Sequence, residues 1–248
     1  MVALVCIGAL MAGCTNSPGD TDVVPRAEAA GCVVPSALKG QDVARLPVND
    51  KVIALTFDAG ANADGVPSIR ATLASTGVSA TFFLTGAFVE KYPVKSKRLA
   101  DRDLVGNHTM THPDLTALPD KEVTTQVRDA ESVIRSTTGE DPRRFFRFPY
   151  GARNAHLIGL LNSLCYVPFR WTVDSLGWKG TSGGQSVATV VSRVVGAARP
   201  GAVVLMHVGS NPDDGTTLDA DAVPQIIKKL RDRGYRFVRL SQVMSANP

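Results

Sequence analysis

Val52-Ile53-Ala54-Leu55-Thr56-Phe57-Asp58-Ala59-Gly60 is an apolar run that stops on a carboxylate. It is too short for an ordinary helix. It is apolar at nearly every position instead of alternating, so it reads as a strand covered on both faces, over residues 52–57. Val66, Ile69 and Leu73 then fall at helical spacing, with Gly77 placed as a C-cap. The same unit repeats along the chain. Residues 81–84, 104–106, 145–148, 169–174, 202–207 and 237–240 read as further strands. Val123, Val127, Ala130 and Ile134, closed by Gly139, mark an amphipathic helix. Residues 187–197 mark another, and Val223, Ile226, Ile227 and Leu230, capped by Gly234, a last one. Repeated strand–helix units predict a parallel α/β architecture, and seven of them predict an incomplete barrel more than an open sheet.

The rest of the composition narrows the class. The chain has 248 residues, 44% hydrophobic and 20% charged, which is globular and large enough for a substantial core. The net charge of +4 carries no long Lys/Arg run, so a nucleic-acid groove is not implied. No stretch of about 20 apolar residues offers a membrane-spanning helix.

Residues 1–13 read as an export signal. Leu10-Met11-Ala12-Gly13-Cys14 resembles a bacterial lipobox, whose cysteine carries the lipid. Met11 stands where Leu or Val is usual, and no basic residue precedes the apolar run. An ordinary secretory signal or a buried strand are the alternatives. Residues 14–50 are small, polar and Pro/Gly-containing at first and read as a tether or N-terminal arm with a short ordered piece near Cys32, and the main domain is placed at 51–243. Export and lipidation would remove Cys6 and Cys14 from the count, leaving Cys32 and Cys165 as an even pair. They are either bonded, tying the arm to the domain, or two buried thiols. The location expected is exported, lipid-anchored at the cell membrane or extracellular, with the membrane touched only through the anchor and the chain a monomer.

The informative polar residues lie where the strands end, the face that holds the active site in parallel barrels. Asp58 ends the first strand; His108 and His112 follow the third; Arg147 ends the fourth; Asp174 and Trp178 follow the fifth; His207 ends the sixth. Three of the four histidines fall at such positions, and His156, inside a helical pattern, reads as structural. Each element alone has an ordinary explanation: an Asp cap, a chance His pair, a stacked Arg, a core His. Independent accidents would not all land on one face. Two His at i and i+4 can share one side of a helical turn, so His108 and His112 can reach one ion.

The order and spelling of these segments resemble the polysaccharide deacetylase family, the NodB-homology group or carbohydrate esterase family four, from about Lys51 to Val243. The resemblance implies a distorted seven-stranded (β/α) barrel, TIM-like, that removes acetyl groups from polysaccharides with a divalent metal, zinc by preference. It implies His108 and His112 as metal ligands, Asp58 as general base and Arg147 as the residue that positions it. It further implies the Tyr150 backbone N–H as oxyanion donor, His207 as general acid, and Trp178 and Leu205 as apolar residues around the acetyl methyl. Two positions depart from the family pattern. Ala59 stands where a second Asp supplies the third metal ligand, and Gly177 stands where an Asp tunes the acidic His. Asn62 and Asp64 lie in the same loop as Ala59 as candidate replacements. The expected activity is N-deacetylation of peptidoglycan or a chitin-like glycan. The alternatives are O-deacetylation of acetylated xylan and a catalytically weak glycan-binding barrel.

Overall fold

The computed structural model describes Met1, Val2 and residues 34–241. The chain divides into two units, Met1–Cys32 and Val33–Pro248, and the fold belongs to the second. Its strands are β1 (Val52–Ala59), β2 (Thr81–Leu84), β3 (Leu104–Asn107), β4 (Arg144–Phe146), β5 (Tyr166–Pro168), β6 (Val173–Asp174), β7 (Ala202–His207) and β8 (Arg236–Phe237). Seven run in the order β5-β4-β3-β2-β1-β7-β6, and β8 pairs with the start of β1. Every ladder is parallel. The result is a seven-stranded half-barrel clad in helices, the α/β barrel class expected. The seam falls between β5 and β6.

The helices are α1 (Val66–Thr76), α2 (Gly86–Lys91), α3 (Pro93–Ala100), α4 (Asp120–Thr138), α5 (Ala155–Ser163), α6 (Val187–Gly196) and α7 (Leu218–Asp232). Their ends follow the local chemistry. α1 has Pro near its start and Gly77 at φ 65° past its end; α4 has Asp120 and Glu122 in its first turn. Ser186 and Thr189 close a capping box on α6.

Alternate residues of β1 sort the core. Ile53, Leu55, Phe57 and Ala59 face the layer packed by α1, α6 and α7. Val52 and Ala54 join Phe83, Phe145, Phe169 and Val203 in a second cluster. The strand expected at 169–174 is a correction: pairing occurs at 166–168 and again at 173–174, with a break between. The predicted strand at 145–148 ends at Phe146, so Arg147 follows β4; that at 237–240 shrinks to 236–237.

The tether is also corrected in its C-terminal part. Leu38, Val43 and Leu46 are buried in the second cluster. Val43 bridges to Phe169 and Arg45 to Ala202. The arm therefore lies across the seam, giving backbone partners to the segments that β5 and β6 leave unpaired: Val43 N–H donates to Pro168 O at 2.9 Å, and Arg170 N–H to Val43 O at 3.0 Å. The segment expected as export signal lies outside the described residues apart from Met1 and Val2.

Candidate active site

β1 and β7 are adjacent and in register, with Asp58 opposite His207, so these two side chains emerge beside one another from neighbouring strand ends. β3 delivers the histidine loop next to them. Together Asp58, His108, His112 and His207 line a cleft of about 370 Å³ whose other walls include Thr85 and Thr111.

Arg147 sits behind this cleft, fully buried. Its Nη1 donates to Asp58 Oδ1 at 2.7 Å, Nε to Phe169 O at 3.0 Å and Nη2 to Arg170 O at 3.1 Å. Its guanidinium carbon lies 4.2 Å from the centre of the Phe83 ring. Burial opposes charge on Asp58, but Arg147 above all holds the carboxyl below the usual carboxylate range. Asp58 is therefore an ionised, oriented acceptor.

The backbone of Arg147 orients the histidines too. His108 Nδ1 lies 2.8 Å from Arg147 O, which can only accept, so this nitrogen carries the proton. His108 Nε2 then presents a lone pair 3.4 Å from Asp58 Oδ2. Burial lowers the His108 pKa to about 4 against the pull of Asp58, and burial also lowers that of His112. Both rings are neutral near pH 7, with centres 4.6 Å apart. The helical turn expected for this pair is a correction. Thr109 and His112 adopt left-handed backbone, φ 69° and 63°, and the loop brings the rings together instead. The Thr109 hydroxyl accepts from His112 N–H at 3.0 Å.

A lone pair facing an ionised carboxylate with no proton between them is an arrangement that a cation completes. The donors fit a divalent ion through two neutral imidazoles. Among the described residues no group of three His, Cys, Asp or Glu is gathered to hold one. Neither candidate replacement for the ligand missing at Ala59 is free. Asn62 Oδ1 accepts from Ser210 N–H and Asp64 N–H, and Asp64 Oδ2 accepts from the Ser210 hydroxyl at 2.7 Å.

The remaining expected residues spread outward. Tyr150, at φ 56° and 72% exposed, sets its ring edge-on 4.6 Å from His112. Trp178 is exposed, 6.4 Å ring to ring from His207, and its Nε1 donates to Asp174 Oδ2. Leu205 is buried inside β7 and is not among the residues that line the cleft. His156 lies on α5, its Nε2 2.7 Å from Asp120 Oδ1 at the start of α4.

Several contributors escape a reading of the sequence. Gln126 on α4 accepts from Met110 N–H and Thr111 N–H, at 3.0 and 2.9 Å, and so braces the histidine loop. Asn107 accepts from Thr109 N–H and donates to Tyr166 Oη, which donates to Glu131. Asp219 reaches His207 from the first turn of α7. All are polar residues on helices or at strand ends, where solvated faces and caps are the ordinary explanation.

A parallel half-barrel whose strand ends gather an ionised Asp, an Arg that holds it, two neutral His and a third His defines a hydrolase of the acid–base type. The polysaccharide deacetylase profile matches residues 45–169. The peptidoglycan-N-acetylglucosamine deacetylase of Bacillus cereus is 34% identical over 202 residues, covering 81% of this chain and 71% of the relative. The chitooligosaccharide deacetylase of Sinorhizobium fredii is 34% identical over 196 residues, covering 76% and 89%. The crystal structure of the Bc1960 peptidoglycan N-acetylglucosamine deacetylase superposes with a TM-score of 0.75 at 32% identity, covering 83% of this chain and 93% of that one. The chain belongs to the polysaccharide deacetylase family, and it is an enzyme of polysaccharide deacetylation.

Proposed function

We propose that the chain hydrolyses N-acetyl groups of a cell-wall-type glycan, peptidoglycan or a chitin-like polymer. The observation that carries this reading is Asp58, held ionised by Arg147, opening beside His207 into the cleft that His108 and His112 share. Asp58 takes a proton from a water molecule as its oxygen attacks the acetyl carbonyl carbon. The Tyr150 backbone N–H is the donor assigned to the resulting oxyanion. His207 gives a proton to the sugar nitrogen as the carbon–nitrogen bond breaks, releasing acetate and a free amine. His108 and His112 would hold a divalent ion, zinc in the first instance, which supplies Lewis acidity toward the carbonyl and lowers the pKa of bound water.

Trp178 and the Tyr150 ring, both exposed at the edge of the site, suit stacking against sugar faces. The two curated relatives support an amide substrate by the names they carry. A catalytically weak glycan-binding barrel is the second reading, favoured by the two-nitrogen donor set. Acetate release from peptidoglycan, chitin oligomers and acetylated xylan separates these. Release from the first two supports N-deacetylation, release from xylan alone transfers the machinery to esters, and none with retained glycan binding sinks the catalytic reading.

Export is the location that fits such a substrate, and a disulfide at Cys165 fits an oxidising compartment. Its expected partner, Cys32, and the lipidated Cys14 lie outside the described residues. Cys14→Ala should move the protein from the membrane fraction to the medium or to an uncleaved form; an unchanged distribution refutes the anchor.

A further inference from the structure

We propose that Asp219, from the first turn of α7, is the positioning residue for His207, and that Gly177 lacks a side chain so that this carboxylate can occupy the space beside the imidazole. The inference rests on the reading of His207 as proton donor. Asp219 is only 3% exposed. Its Oδ2 accepts from His207 N–H at 2.8 Å and lies 3.6 Å from His207 Nδ1. Its Oδ1 is buried and has no hydrogen-bond partner among the described residues. A Cβ on Gly177 would fall 2.2 Å from that oxygen and 2.5 Å from the carboxyl carbon. Position 177 and the Asp219 carboxylate thus compete for one volume.

The resemblance expects a carboxylate at 177 acting on the acidic histidine. Here the carboxylate arrives from another element and fills the vacated space. Helix capping does not account for it. Asp221 already places an exposed acid in the first turn of α7, where it meets the helix dipole without burial. A buried carboxylate with one unpaired oxygen is costly, and such costs persist where a neighbouring group needs the charge. His207 Nδ1 is buried with no hydrogen-bond partner among the described residues, and the carboxylate it faces is Asp219, 3.6 Å away, which leaves Nε2 as the nitrogen able to reach substrate. Four titratable groups surround the ring: Asp219 on α7, Asp58 on β1, Asp174 on β6 and His112 of the histidine loop. Burial opposes the imidazolium, but Asp219, Asp58 and Asp174 outweigh it and raise the His207 pKa.

The test uses six variants of the full chain, assayed by acetate release on the best glycan of the panel above. Asp219→Asn keeps the shape and an acceptor for His207 N–H but removes the charge. It should lower kcat by about 10–100-fold with KM little changed, and move the alkaline limb of the pH profile to lower pH. Gly177→Ala should lower kcat in the wild-type background, because its Cβ displaces the carboxylate. The same change should add little on top of Asp219→Ala. Gly177→Asp combined with Asp219→Ala should recover activity above Asp219→Ala alone. His207→Ala is the control. If it retains full turnover, the proton-donor reading itself fails. If it is inactive while Asp219→Asn matches the native kcat and pH profile, Asp219 is not the positioning residue. Lower thermal stability in Asp219→Asn with an unmoved kcat and pH profile also overturns the proposal, since that is what a purely structural acid would give.

Discussion

A fully buried guanidinium costs several kcal/mol of desolvation unless its donors are used. Arg147 places Nη1 on Asp58 and its other nitrogens on the carbonyls of Phe169 and Arg170, while its own carbonyl fixes the tautomer of His108. One residue thus sets the charge of the proposed base and the lone pair of the histidine nitrogen proposed to hold the ion. Arg147→Met should cost about 3–5 kcal/mol of folding stability, because it leaves the Asp58 charge buried and unpaired. Adding Asp58→Asn should return part of that loss, since the orphaned charge is then gone. Urea unfolding of both single variants and the double variant measures this coupling, and simple additivity would show that the pair is not an energetic unit. His207→Ala should lower kcat by ~10²–10⁴-fold, the usual worth of a general acid, while leaving the fold intact. Unchanged turnover in that variant removes His207 from the mechanism.

The histidine loop is irregular backbone held from outside. Residues in left-handed conformation such as Thr109 and His112 cost about 1–3 kcal/mol each unless the surroundings fix them. Here α4 does so through Gln126, and β5 through the Tyr166–Asn107 contact. Gln126→Ala should therefore weaken divalent-ion binding by about 10–100-fold with little change in melting temperature, and Gln126→Glu, which keeps the acceptor, should lose less. Competition with a chromophoric chelator reads this, and equal affinity in all three proteins would show that α4 does not shape the site. With two imidazoles and no third ligand gathered among the described residues, the native protein should also give up its ion to EDTA readily and recover with added zinc; activity indifferent to chelation would count against a metal at these histidines. The sequence made the strand ends legible because doubly buried strands such as β1 and β7 read as unbroken apolar runs that stop on Asp58 and His207. It did not reveal α2 or α3, which are about two turns long, and showed α5 only as the helical pattern around His156; nor did it reveal the break at Phe169, because three-residue strands carry no period. Gln126 and Asp219 were hidden because a polar residue on a helix reads as solvated face or cap until its neighbours are known. The Ala59 and Gly177 departures were legible as differences, but only the structure shows that a carboxylate fills the second and that Asn62 and Asp64 are tied to Ser210 near the first.

At the scale of the whole molecule, an open half-barrel must cover an interior and a seam, and this chain does both with residues that composition marks as a linker. The three apolar side chains Leu38, Val43 and Leu46 leave water for the cluster that holds Phe145, Phe169 and Val203. Asp42, beside them, pairs with Arg153, just beyond the Tyr150 turn, and with Arg170, which follows the residue that Val43 bridges. Burial raises the Asp42 pKa against the pull of both arginines, so its charge is kept at a cost and its ion pairs are structural. The arm therefore links the seam of the half-barrel to Arg153, just beyond the Arg147–Tyr150 segment of the candidate site. A chain that begins at residue 51, the boundary suggested by composition, loses all of this. At about 1.5–3 kcal/mol per buried aliphatic side chain, removing the three should cost roughly 5–9 kcal/mol, comparable to the whole stability of an ordinary domain. Such a chain should be insoluble or molten, whereas one beginning at residue 34 should fold. Arg153→Ala in the full chain should give a milder loss, with deacetylase activity falling more than stability if the arm steadies the Tyr150 turn. Circular dichroism melting of the two truncations decides the first point: matching cooperative transitions for chains starting at 34 and 51 would return the arm to the status of a tether.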